Sequence, residues 1–448
     1  MLNDAMAARE IPKADPRGKI VVGVLLVVVF ALSALTAAIP PPKVNSFTDD
    51  QIKSGGSLSI NTGDNAWVLT SAALVLLMTP GVSFFYGGMV NHKNVLSTMY
   101  QSFVAMGFVS LLWVWIGFSL SFGDSSQSNG VIGHPRTYFM FNGVGAAPHP
   151  HPSMAPTIPL TTFAMFQLMF AIITPSLISG SLAERINFNS WMVFLCVWHI
   201  LVYCPLAHLA FHPDGAFRRW GVLDFAGGTV VEMASGYSAL AGAIFLGPRK
   251  VAVNNNANIP FVLLGTALFW FGWLGFDAGS ALSAGPLAGQ AFATTNTGAA
   301  AGMITWIFLD KIMGRLPSVV GACNGVVVGL VALTPSCGWV TVGGGMCIGC
   351  IATIICYFVG TRGNAPAPLN APHAPPALTP RTLPHPSFQP QASPSTSSPA
   401  STTPWTCSRC TAWAAPSASS ARASSAPRAP TRPASTDSST ARASRSPR

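Results

Sequence analysis

The chain has 448 residues; 50% are hydrophobic, only 8% are charged, and the formal net charge is +10. A soluble domain carries about 25% charged residues. This composition therefore excludes a soluble globular protein and indicates an all-α polytopic membrane protein, whose helices need roughly 20 apolar residues each. From Thr361 onward there are nine arginines, no lysine and one acid, Asp437. The apolar part is thus nearly neutral, and the charge is no sign of a nucleic-acid partner.

Residues 1–19 are polar. An apolar run over 20–39 follows Arg17 and Lys19 and ends at Pro40-Pro41-Pro42. It fits a secretory signal, though a long one, and equally a retained anchor helix; both place the next segment's start outside the cytosol. Periodicity and apolar runs predict spans at about 67–86, 101–122, 158–182, 191–211, 225–246, 260–282, 291–312, 317–335 and 339–359. The connections after the first, third, fifth and seventh carry Lys93, Arg185, Arg249 with Lys250, and Lys311 with Arg315. These loops alternate, so the positive-inside rule places them in the cytosol. Arg218 and Arg219 depart from that rule on an outer loop. The outer loop 123–157 carries His134, His149 and His151 among prolines, which read as solvated histidines rather than a metal site. Cys196, Cys347, Cys350 and Cys356 lie in apolar runs, where cysteine acts as a small hydrophobe, and no disulfide framework is legible. After Gly360 the chain turns to Pro, Ala, Ser, Thr and Arg, a composition expected to be disordered. The lone Cys407-x-x-Cys410 in it is weak evidence for zinc. The expected organisation is an N-terminal segment over 1–64, a membrane domain over 65–360 and a tail over 361–448.

The stretch Gly221 to Glu232, GVLDFAGGTVVE, stands apart because it holds two acids, Asp224 and Glu232, with no base nearby in sequence. Acids inside a span are expensive and mark a cavity or a proton path. Asp224 sits where a helix starts and reads as an N-cap facing the positive end of the helix dipole. Glu232 lies about two turns deeper, where there is no cap to make, and reads as functional. The small residues Ala226, Gly227 and Gly228 let a helix or a substrate approach the backbone.

Several long motifs occur in order: FFYGGMVNHKNVLS (84–97), GSLAERI (180–186), GVLDFAGGTVVE (221–232), FGWLGFDAGSA (271–281) and TPSCGW (334–339). With them the region from Asn65 to Phe358 resembles the ammonium transporter / methylammonium permease family, related to Rhesus proteins. The Glu at position 232 resembles a fungal subset. The resemblance implies a bundle of about eleven helices built from two inverted five-helix repeats plus one. It also implies a homotrimer in the plasma membrane, with a pore in each subunit. The family's outer recruitment site, aromatic rings and a hydroxyl that hold a small cation, matches Phe166, Phe211 and Ser280. The family usually has Trp at position 211, so looser recruitment is expected. The stacked gate rings match Phe170 and Phe276. An apolar gate rejects hydrated Na⁺ and K⁺, whereas ammonium can shed a proton and pass. Below the gate the family has two facing histidines that shuttle a proton. Glu232 replaces the first, and Asp224 matches the family's structural aspartate. Asp277 stands where Asn is common and is expected to add an acid near the outer vestibule.

The second histidine is absent. The family's tenth helix begins with a motif like VDDTLDVFAVHGVGG, and no such run appears. Yet residues 401–415, STTPWTCSRCTAWAA, shifted by one base at the codon level, permit that motif in full. Trp405 before Thr406 forces Asp, and Trp413 before Ala414 forces Gly. Cys410 before Thr411 allows only His or Tyr. The tail is thus expected to be the tenth helix in the wrong frame, after a retained intron or a mis-joined exon between Gly360 and Ala400. As written, the bundle is expected to stop after about nine family helices, and this polypeptide to be unstable or inactive.

Ammonium/ammonia and methylammonium are the expected cargo, with the lipid bilayer as the surrounding partner and no cofactor. A sensor role is a second reading, whose discriminating tail motif is scrambled here. An enzyme is not expected: His199 and His208 are the only span histidines, and neither has a partner at metal-ligand or nucleophile–base spacing.

Overall fold

A computed structural model describes residues 60–361, apart from 127, 150, 152–153 and 248–255. The segment at 20–39, the basic pair Arg249 and Lys250, and the tail with residues 401–415 lie outside the described residues. Within them the fold is helical, with nine long segments close to the predicted spans. In chain order these begin with α1 (Thr62–Met89), α2 (Val95–Leu112, continuing through Trp113–Gly117 to Phe118–Phe122) and α3 (Leu160–Leu182). Next come α4 (Phe188–Trp198, continuing through His199–Tyr203 to Cys204–Phe211) and α5 (Gly228–Met233, then Ala234–Leu246). The last four are α6 (Ile259–Gly279), α7 (Pro286–Ile312), α8 (Val319–Leu333) and α9 (Val342–Thr361). Seven segments are long and apolar enough to cross a membrane.

Local chemistry sets the ends. The side chain of Asn61 accepts from the backbone N–H groups of Gly63 and Asp64 and so caps α1; Asn187, Asn258 and Ser318 do the same for α4, α6 and α8. Pro286, placed at the first turn where its missing N–H costs nothing, starts α7 five residues earlier than the apolar run suggests. Three segments contain a turn of π-helix, at Trp113–Gly117, His199–Tyr203 and Gly228–Met233.

The packing centres on α1 and α6, which make the most extensive helix–helix contact. Glycines let them approach closely. A Cβ on Gly275 would lie 2.7 Å from Leu74 Cβ, one on Gly279 2.5 Å from Ser71 Cβ, and one on Gly88 2.5 Å from the Asn258 carbonyl. Rising numbers on one helix thus meet falling numbers on the other, so the two run antiparallel. That is the relation expected of the first helices of two inverted repeats. Two long-range hydrogen bonds fasten one end of the pair: Trp67 Nε1–H donates to the Ala278 carbonyl, and the Ala284 N–H donates to Asp64. Around this pair α2, α3 and α5 gather on one side, and α7, α8 and α9 on the other. At the opposite end Glu184, with φ of +68°, accepts from the backbone and side-chain nitrogens of Asn91 and from the Asn94 side chain, each at 2.9 Å.

Candidate functional site

The site is built where α5 begins. Asp224 accepts three backbone hydrogen bonds, from Gly227 (3.0 Å) and Gly228 (2.7 Å) through Oδ1 and from Thr229 (2.8 Å) through Oδ2. Asp224 thus satisfies the free N–H groups as expected of a cap, but from the loop three residues before the N-cap position, which Gly227 occupies. Its carboxylate lies at the positive end of the helix, where a negative charge is favoured. Gly227 has φ of +109°, a conformation that side chains resist. The preceding loop is pinned to the far end of α8: Phe225 N–H donates to the Pro335 carbonyl and Ala226 N–H to that of Thr334. The chain then enters the π-turn Gly228–Met233, which carries Glu232. Extra-residue turns of this kind often lie at functional positions.

Above this turn a cavity of about 230 Å³ opens, and Phe211, Phe170, Ser280, Gln167, Asp224, Arg218 and Trp339 are among its walls. Ser280 donates its hydroxyl proton to the Phe276 carbonyl at 2.7 Å, so its oxygen is left as an acceptor. Gln167 is buried, and its side-chain carbonyl has no hydrogen-bond partner. Aromatic faces and free acceptors together suit a small cation that donates hydrogen bonds.

Beneath the cavity the Phe170 and Phe276 rings touch, with centroids 4.4 Å apart and planes at 54°. Phe166, one turn before Phe170, is fully buried and meets it edge to face at 4.8 Å. Of the residues singled out in the sequence, Phe211, Ser280, Phe170 and Asp224 thus line one cavity. Phe166 and Phe276 sit behind Phe170 and do not line it. Glu232 is fully buried and lines no part of the cavity, and neither of its carboxylate oxygens has a hydrogen-bond partner among the described residues. A buried charge without a partner is severely penalised.

Two expectations differ from what is observed. Asp277 does not line the cavity: it is fully buried, with Oδ2 accepting from Thr295 Oγ1 of α7 at 2.5 Å and Oδ1 without a hydrogen-bond partner among the described residues. One residue step turns a helix by about 100°, so Asp277 points towards α7 while Phe276 faces Phe170. The outer-loop histidines are also not all solvated. His149 is buried, with Nε2 3.4 Å from the Tyr138 hydroxyl and its ring 6.4 Å from that of His212, which in turn stacks on His208 at 4.4 Å. The loop folds back over the bundle and covers them. Burial lowers the His149 pKa to about 4 and raises that of Tyr138 to about 12. Gln167, Arg218 and Trp339 escaped the sequence reading as site residues. Gln167 lies on the same face as Phe163 and Phe170, three to four residues away, and that spacing was the available signal.

Fold and site define a polytopic helical membrane protein with an aromatic-floored cavity above a buried, unpaired acid. The comparisons give the family. The model of the Ammonium Transporter Family matches residues 66–365, and the chain belongs to that family. It is 46% identical over 301 residues to a putative ammonium transporter of Methanothermobacter thermautotrophicus, covering 67% of this chain and 72% of that protein. It is 36% identical over 335 residues to ammonium transporter 1 of Schizosaccharomyces pombe, covering 73% and 65%. Among solved structures it resembles Saccharomyces cerevisiae Mep2, with a TM-score of 0.63 and 34% identity over 66% of each chain. The chain thus spans roughly two thirds of the length of these relatives.

Proposed function

We propose that this protein carries ammonium/ammonia, and methylammonium, across the plasma membrane, with its membrane domain beginning outside the cell and three copies assembling side by side. The route runs from the outer cavity between Phe170 and Phe276 and onward past Glu232. Phe211 and Ser280, with Phe166 behind them, recruit the cation; the two gate rings admit it only without a water shell; Glu232 takes up and returns the proton, while Asp224 holds the loop that positions it. The observation that carries this reading is Glu232 itself, a fully buried acid without a partner, lying on a π-turn just beyond a cation-suited cavity. Such a group fits a site whose partner comes and goes, and a proton is the smallest one available. The test is uptake of labelled methylammonium by the frame-corrected protein, with Glu232→Gln and Glu232→His beside it. Gln is expected to cost about a hundredfold or more, a reduction typical of losing a proton-transfer group, and His to retain transport with a shifted pH profile. Normal transport by Glu232→Gln at every pH would remove Glu232 from the mechanism.

The proposal extends to residues 401–415. Their codons, read one base over, permit the family's tenth helix with a histidine across Cys410 and Thr411 to face Glu232. The forced Asp and Gly at the right spacing support this. Sequencing the transcript is expected to show an open frame restored by a single-base shift, and the repaired product is expected to support growth of an ammonium-uptake-deficient cell where the present reading frame does not. Growth supported by the present frame would overturn this part.

A further inference from the structure

Arg218 lies in the wall of a cavity whose proposed cargo is a cation. It is exposed, and its Nη1–H donates to the Phe211 carbonyl at 2.9 Å, which fixes the guanidinium beside the recruiting ring. No acid among the described residues forms an ion pair with it. Asp224, the acid in the same wall, accepts three backbone N–H groups at the positive end of α5, which spread its negative charge without removing it. Asp214, on the same loop, has its carboxylate 3.9 Å from His212 Nδ1, a contact that is ionic only when the imidazole is protonated, and the neighbouring Arg219 donates to the Asn129 carbonyl. The cavity therefore offers acceptors and aromatic faces for a hydrogen-bonding cargo, together with a fixed positive charge on Arg218 that adds its own repulsion to the field of these acids.

We infer that Arg218 is a specificity-determining residue. Its guanidinium lowers cation occupancy of the outer cavity in proportion to the cation's charge and leaves neutral ammonia unaffected. The role rests on the proposed transport reading, and it deepens that reading: the vestibule selects against divalent and polyvalent cations by repulsion, before the gate acts on water shells. Two unit charges at such separations, in a wet cavity, shift occupancy by about three- to tenfold for a monovalent cation, and salt screens the effect.

The test separates the charge from the transport. Leu287 lines the same cavity and is 40% exposed. With Leu287→Cys in the full chain, modification of that one peptide by anionic and cationic methanethiosulfonate reagents of similar size is followed by mass spectrometry. Arg218→Gln should lower the anionic-to-cationic rate ratio by about three- to tenfold, Arg218→Lys should keep it, and high salt should compress the difference. An unchanged ratio in Arg218→Gln, a Lys variant that behaves like Gln, or a cysteine that no reagent reaches would overturn the inference. In parallel, in the frame-corrected protein, KM for methylammonium should fall several-fold in Arg218→Gln with kcat held. If the frame-corrected protein takes up no methylammonium, the transport reading fails while the reagent ratio still reports on Arg218.

Discussion

Asp224 shows how one side chain can hold the start of a helix. Its two oxygens receive three backbone N–H groups that the start of α5 would otherwise leave bare. In Asp224→Asn one oxygen becomes a donor facing donors, and a buried N–H loses its acceptor. The expected cost is about 1–3 kcal/mol, read as a lower thermal midpoint of the purified protein in detergent. Asp214→Asn, at a carboxylate that is 60% exposed, is the control and should change little. Equal midpoints for the two variants would mean that the capping bonds contribute nothing. The cap was legible in the sequence because a helix-start acid followed by two glycines has few other uses. The direction of Asp277 was not, because a motif gives neighbours in sequence and not the rotation of the helix that carries them.

Helices α1 and α6 depend on absent side chains. Gly275→Val would place a branched side chain where even a Cβ falls 2.7 Å from Leu74 Cβ. Overpacking of this kind costs about 1–3 kcal/mol or more. The variant is expected to give reduced, aggregated yield on size exclusion, whereas Gly107→Ala, with open space around its Cβ position, should behave as the parent. A monodisperse Gly275→Val would show that the helices can separate without loss. All nine long segments were legible as apolar runs between polar breaks. The π-turns were not: a π-turn differs from an α-turn by one residue in register, and no residue type demands it. The turn that carries Glu232 is thus the part of the site for which the sequence offers no local signal.

At the scale of the whole molecule, the outer loop 123–157 acts as a cover whose hold depends on pH. His149 has an ordinary pKa of 6.5 when the loop is free and about 4 when it is folded, because burial disfavours its charged form. Below pH 6.5 the free loop binds a proton that the folded loop does not, so stability falls as pH drops towards 4 and is fully present above 6.5. The shift corresponds to at most about 3 kcal/mol. Hydrogen exchange of residues 134–149 is expected to accelerate between pH 6.5 and 4.5 beyond the intrinsic trend, and His149→Gln should reduce the excess. An unchanged excess in that variant would assign it to another group.

The contact between Phe170 and Phe276 has a kinetic consequence. Rings whose centres are 4.4 Å apart leave no open aperture between them. On the proposed route every crossing must therefore wait for a ring to swing aside, however high the concentration outside. Throughput would then follow the frequency of that swing: steeply responsive to temperature, levelling off early with supply, and never resembling the open flow of an ion channel.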